Sequence, residues 1–253
     1  MGIVSRLANP TRFLSYSSVI FKWSALFALG LFAIGLYFAF FVAPEDYQQG
    51  QTVRIMFVHV PAAWLAMFCY TLMTVSAIGT LVWKHSLADV SAKAAAPLGA
   101  MFTFLALVTG ALWGKPMWGT WWVWDARLTS VLVLFLIYIG LIILWRTIEE
   151  PAIAAKTTAV MILVGFINIP IIKFSVDWWN TLHQPASVMR LDGPTIHADI
   201  LTPLIIMAFA YSFAFIALHM RAMQNEIHRR RVRTLQKKMA MSQTPQAQPQ
   251  PAE

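Results

Sequence analysis

Between Trp113 and Ser130 the chain reads WGKPMWGTWWVWDARLTS, with five tryptophans, Trp113, Trp118, Trp121, Trp122 and Trp124, in twelve residues. Indole rings offer large rigid faces at small conformational-entropy cost. Gly114 and Gly119 permit the tight backbone needed to bring several such faces together. Trp also favours the headgroup layer of a bilayer. That preference accounts for single residues at the ends of apolar runs, such as Trp23, Trp83 and Trp145. It accounts poorly for five in one loop, and the alternative is a flat apolar platform for a large planar ligand.

His59, in FVHVPAAW, and His183, in DWWNTLHQPAS, supply the second chemical element. An iron porphyrin has two axial positions, and neutral imidazole is a common occupant. Two histidines from separate segments, beside a tryptophan platform, can hold such an iron from both faces. Each taken singly reads as a hydrogen-bonded interfacial polar residue; their joint location with the tryptophans favours ligation. His197 competes for the same role on sequence grounds. Porphyrin propionates call for cations, and Arg127, Lys115, Arg54 and Arg190 are available, arginine being suited to bidentate carboxylate contacts. A local reading stands beside this one: Asp125 is placed to N-cap the following helix, and Arg127 to pair with it. Trp178 and Trp179 either extend the pocket or anchor a span.

Apolar segments must position these residues. The chain of 253 residues is 58% hydrophobic and 12% charged, where an ordinary soluble domain carries about twice that charge. Soluble enzyme, disordered chain and coiled coil are thereby made improbable. A single cysteine, Cys69, excludes an intrachain disulfide, a C-x-x-C redox pair and a C-x-x-C-H haem attachment. The net charge of +8 is read as a topology signal, with no nucleic-acid partner implied.

Charged residues bound six apolar runs: Trp23 to Ala43, Ile55 to Trp83, Lys93 to Lys115, Leu128 to Trp145, Lys156 to Lys173 and Ile200 to Met220. Each approaches the roughly 17–25 residues that cross a bilayer. The fifth is short and is expected to continue past Lys173, whose amine can snorkel. Pro61, Pro97 and Pro203 are read as lying near span starts. The first run is too long for a signal-peptide core and is read as a retained helix. Fourteen Lys and Arg, from Arg6 through Lys238, fall on the side of the termini against five on the other. The positive-inside rule then puts both termini in the cytoplasm and the tryptophan loop outside. The expected fold is an all-α integral membrane protein with six transmembrane helices. Residues 1–220 form the membrane domain, with the loop at 113–130, and 221–253 form a tail. That tail is basic up to about Met241, suited to a helix near the anionic inner leaflet, then Pro/Gln-rich and expected to be disordered.

The cores of these runs hold no charged residue, which argues against an autonomous ion-coupled pump. GALWGKP, from Gly110 to Pro116, is one residue short of a P-loop and has Pro where Ser or Thr should bind Mg²⁺. ATP hydrolysis by that route is excluded.

The string WGTWWVWDARLTS resembles the WWD signature of a family of haem-handling membrane proteins that serve cytochrome c maturation and include larger haem lyases. Six spans, two outer histidines and a single WWD loop look most like its haem exporter C branch, over essentially the whole chain through span six. The resemblance implies that haem b is the cofactor. The WWD residues Trp113, Trp118, Trp121, Trp122, Trp124, Asp125 and Arg127 would form its platform, with His59 and His183 as axial ligands. It implies residence in the bacterial inner membrane and no enzymatic reaction beyond a possible promotion of covalent haem attachment to a partner. The implied partners are a periplasmic haem chaperone, the membrane and ATPase subunits of an ABC transporter, a small membrane subunit and the lipid bilayer.

Three other readings remain. A permease that moves haem or another solute needs a polar path, and the spans offer only scattered polar residues such as Asn168. A haem lyase needs an apocytochrome docking site, and the chain is short for one. A structural assembly subunit would tolerate Phe at Trp118, Trp121 and Trp122.

Overall fold

The computed structural model describes residues 9–185, 187–188 and 190–243. Seven α-helices are found among these residues: α1 (Pro10–Tyr37), α2 (Met56–Trp83), α3 (Ser86–Trp118), α4 (Ala126–Thr147), α5 (Pro151–Gly165), α6 (Asn168–Trp178) and α7 (Ala198–Gln243). Asn9 caps α1 by accepting from the Thr11 and Arg12 amides, with Pro10 in the first turn. A π-helical turn, Phe38–Val42, ends α1, and a 3-10 turn, Gln51–Ile55, leads into α2. Helices α5 and α6 together make one apolar span, so the described residues contain six helical segments long and apolar enough to cross a membrane.

The hairpin of α2 and α3 forms the centre, α1 lies along α7, and α4 and α5 flank the hairpin. The α2–α3 turn is tight: Lys84 adopts a left-handed conformation and the His85 amide returns to the Gly79 carbonyl at 3.2 Å. In lipid the helices gain no hydrophobic drive toward each other, so close approach matters more. Small residues supply it, with Ala62, Ala66, Ala77, Ala95 and Ala96 all buried. Two buried tyrosines fasten the contacts. Tyr138 donates to the Ala66 carbonyl at 2.7 Å and Tyr70 to the Ile162 carbonyl at 3.1 Å. Their rings meet edge to face at 5.4 Å. Gly99 lies under the Tyr138 ring and Gly165 under the Tyr70 hydroxyl, where any Cβ would overlap them.

Several elements depart from the local reading of the sequence. Helix α3 starts at Ser86 and ends at Trp118, so Pro97 lies well inside it rather than near its start. The non-helical part of the 113–130 stretch is only 119–125. The fifth span continues beyond Lys173 to Trp178, as expected, with a break after Gly165. Trp23 and Trp83 are exposed, as interfacial residues should be, but Trp145 is only 6% exposed and packs in the core. The sixth span and the basic tail are one unbroken helix through residue 220. Arg6 and residues 244–253 of the Pro/Gln-rich end lie outside the described residues.

At the end of the bundle where α1 begins, α3 and α7 are joined by ion pairs. Arg230 meets both Asp89 and Glu226, and Lys93 lies 3.1 Å from Glu226. Nearby, Gln224 donates to Ser17 at 3.0 Å. The tryptophans of residues 113–124 and His183 gather at the opposite end.

Candidate functional site

The last turns of α3 carry Trp113 and Trp118, and each touches a different histidine. The Trp113 ring meets His59 edge-on at 5.7 Å, and Trp118 meets His183 edge-on at 5.0 Å. Gly114 allows the second contact, because the Trp118 ring folds back over the place a Cβ would occupy. Gly119, at φ +76°, then turns the chain out of the helix. Lys115 closes that end by donating to the Gly119 carbonyl at 3.0 Å, and its ammonium lies 5.9 Å from the Trp121 ring centre.

His59 sits near the start of α2, half-buried against Gly110 of α3. Its Nδ1 is 3.0 Å from Thr109 Oγ1. The Thr109 hydroxyl proton is engaged by the Leu105 carbonyl at 2.6 Å, so the oxygen must accept from the histidine. That fixes the proton on Nδ1 and leaves Nε2 with its lone pair.

His183 arrives at a similar state by a different route. It belongs to the loop after α6, where its amide donates to Thr181 Oγ1 at 2.9 Å. Its Nδ1 lies 3.3 Å from Asp125 Oδ2. An ionised carboxylate only accepts, so Nδ1 is again the protonated nitrogen. Burial lowers the His183 pKa from its ordinary value; the Asp125 charge and hydrogen bond raise it, and the Arg127 charge opposes them. The net effect favours the neutral imidazole.

Asp125 has a second task, since its Oδ1 accepts the Leu128 amide at 2.7 Å and caps α4. Arg127 does not close on Asp125 through a hydrogen bond. Its Nε donates at 3.1 Å to Ser175 on α6, and its terminal nitrogens make no hydrogen bond among the described residues. Arg54 Nε and Trp122 Nε1 are buried donors with no acceptor among the described residues. Trp113 Nε1 donates to Gln49 at 3.0 Å.

The tryptophans do not form one flat sheet. Trp122 and Trp124 meet at 77°, and Trp121 and Trp124 are exposed. Arg190 is turned to Asp192 at 3.8 Å, and Lys115 is spent on the helix end. His197 is largely exposed and pairs with Asp199 at the start of α7. Trp178 and Trp179 are exposed and touch each other. The residues that local reading missed are Thr109, Gly110, Gln49, Thr181 and Ser175. Thr109 stands one helical turn before Trp113 on the same face, a spacing visible in the sequence. Gln49 and Ser175 reach the site from distant segments with no comparable signal.

The profile of the family described as "Heme exporter protein C" matches residues 3–238. The chain is 62% identical over 230 residues to the heme exporter protein C of Bradyrhizobium diazoefficiens, covering 91% of this chain and 87% of that one. It is 47% identical over 185 residues to the protein of the same name from Escherichia coli K12, covering 73% and 76%. A mitochondrial protein of Marchantia polymorpha named for cytochrome c biosynthesis is 49% identical over 183 residues, covering 72% and 77%.

Proposed function

This chain belongs to the heme exporter protein C family, and from that premise and the geometry of the tryptophan end we propose that it binds haem b as a cargo and passes it on for cytochrome c biogenesis. The tryptophan end faces the periplasm and both termini face the cytoplasm, in agreement with the Lys and Arg distribution. The membrane is the bacterial inner membrane. The observation that carries the reading is the matched state of two imidazoles. Nδ1 of His59 and of His183 each lies within hydrogen-bond distance of a side-chain oxygen, Thr109 Oγ1 or Asp125 Oδ2, which can accept its proton. That leaves Nε2 of both as the ligand nitrogen, the arrangement that outer-shell acceptors impose on metal-binding histidines.

The surrounding donors fit the same cargo. A porphyrin brings two carboxylates into this end, and Arg127, Arg54 and the Trp122 indole have hydrogen-bonding capacity that no described residue uses. His59 and His183 would hold the iron that bound haem supplies. The remaining indoles would pack on its faces and edges. Exposure of Trp121 and Trp124 suits a carrier that must release its cargo, since an enclosed porphyrin could not be handed over. The recipient is a periplasmic haem chaperone. The chain acts with the membrane and ATPase subunits of an ABC transporter and a small membrane subunit, without itself hydrolysing ATP. The buried hydroxyls of Thr74, Thr103 and Thr158 each donate to a carbonyl of their own helix. This favours handling at the periplasmic end over passage along the bundle.

The test is the visible spectrum of the detergent-purified protein beside His59→Ala, His183→Ala and His197→Ala. The wild type and the His197 variant should share a low-spin haem spectrum. The other two should lose haem or shift the Soret band while still inserting. A wild type that takes up no added hemin, or two ligand variants with unchanged spectra, would end this reading.

A further inference from the structure

The end of the bundle opposite the tryptophans carries a groove of about 550 Å³ between the starts of α1 and α3 and the far part of α7. Leu87, Val90, Ile227 and Leu235 give it apolar walls, and Arg230 and Arg231 stand in it. Its shape is held firmly. Arg230 is paired with Asp89 and Glu226, Arg231 donates to Thr11 at 2.8 Å, and Arg233 donates to the Glu149 carbonyl at 2.9 Å. These contacts tie α7 to α1, α3 and the α4–α5 turn, so the helix leaves the bundle as a fixed rod.

Leu235, at the groove's edge, and Met239, one turn beyond it on α7, are exposed, as are Lys237 and Lys238. From Ile227 to Gln243 the sequence holds six Lys and Arg and no acidic residue. Lipid is a poor cover for this surface. Arg221 is the first charge after the apolar run of the sixth span, and at about 1.5 Å per residue Leu235 lies roughly 21 Å farther along the helix. The headgroup layer on one side is only about 5–8 Å thick, and a leaflet's charge fades within about 8 Å in physiological salt. Apolar side chains held in water next to a basic stripe are the marks of a protein contact.

We propose that this groove and the adjoining face of α7 dock an acidic, leucine-bearing segment of a cytoplasmic protein. The proposal rests on the cytoplasmic placement of the termini and is independent of haem binding. The leucines of that segment would fill the walls beside Leu87 and Leu235. Its carboxylates would face Arg231, Lys237 and Lys238, since Arg230 is already neutralised.

The full chain in nanodiscs of zwitterionic phosphatidylcholine should bind a fluorescent helical peptide with one Glu face and one Leu face, and should not bind its Lys-for-Glu counterpart. The double variant Lys237→Glu, Lys238→Glu alters only exposed side chains and should weaken binding about tenfold. Leu235→Asp should weaken it without changing thermal stability. Binding should fall with added salt. Equal binding of both peptides, no binding, or an unchanged affinity in the double variant overturns the proposal. Displacement of the peptide by phosphatidylglycerol in the disc assigns the groove to lipid and overturns it, as does preferential binding of a short RNA. Haem spectra of the same samples separate this outcome from failure of the haem site, because both tail variants should keep the wild-type Soret band.

Discussion

His183 Nδ1 lies 3.3 Å from one oxygen of Asp125 while the other oxygen accepts the Leu128 amide at 2.7 Å. One carboxylate thus starts α4 and orients an imidazole delivered by a loop 58 residues later. Asp125→Asn keeps a competent N-cap and removes the ionised acceptor. Its helix content should match the wild type, while its haem affinity should fall by about 10–100-fold, the usual cost of losing an outer-shell partner. Asp125→Ala should lose haem similarly and also cost about 1 kcal/mol of stability from the missing cap. Circular dichroism and hemin titration separate the two effects.

His183 also sets a pH window. Burial lowers its folded-state pKa below the ordinary 6.5, against the pull of Asp125. Between those two values the unfolded chain binds more protons than the folded one, so stability rises with pH there. The contribution is fully present above 6.5 and is lost as pH falls through the lower, folded value. The thermal stability of the haem-free protein should therefore change little between about pH 8 and 6.5, then fall on further acidification with a midpoint below 6.5. A wild-type midpoint at or above 6.5 would contradict this account.

Gly110 sets the position of His59. A Cβ there would lie 3.0 Å from His59 Cε1, tighter than an ordinary contact. Gly110→Ala should displace the ring by a few tenths of an ångström and weaken haem retention about tenfold, since a misplaced ligand costs far more than its displacement suggests. The loss should be smaller than in His59→Ala. An unchanged hemin titration in Gly110→Ala would show that His59 has slack or is not a ligand.

The ion pairs at the opposite end should matter for stability and not for haem. Asp89 and Glu226 are buried, and Arg230 retains about a third of its exposure. Arg230→Ala leaves the buried Asp89 without its ion-pair partner, while Glu226 keeps Lys93 and Arg229. About 2 kcal/mol should be lost, below the usual range for fully buried pairs because Arg230 is partly solvated. Thermal unfolding in detergent would measure the loss, and the haem spectrum of the folded protein should be unchanged.

Much of the fold was legible because the controlling physics is local. A span of apolar residues bounded by charge is a statement about transfer from water, and it needs no knowledge of neighbours. The N-cap role of Asp125 and the extension past Lys173 follow from the same kind of reasoning, as does the crowding of tryptophans next to α4. The likeness to a haem-handling family was carried by one contiguous string for the same reason.

Tertiary structure decided what depends on contact between distant segments. Trp145 has the profile of an interfacial residue, yet it is buried because its helix turns it inward. Arg127 follows Asp125 by two residues but donates to Ser175, since α6 packs beside α4. The choice of Nδ1 as the protonated nitrogen in His59 comes from Thr109 on another helix, and in His183 from Asp125 across a loop. Hydropathy and periodicity constrain which residues enter the bilayer and which stay out. They do not encode the rotation of one helix against the next, which brings Thr109 to His59, or the path of the loop that brings His183 to Asp125.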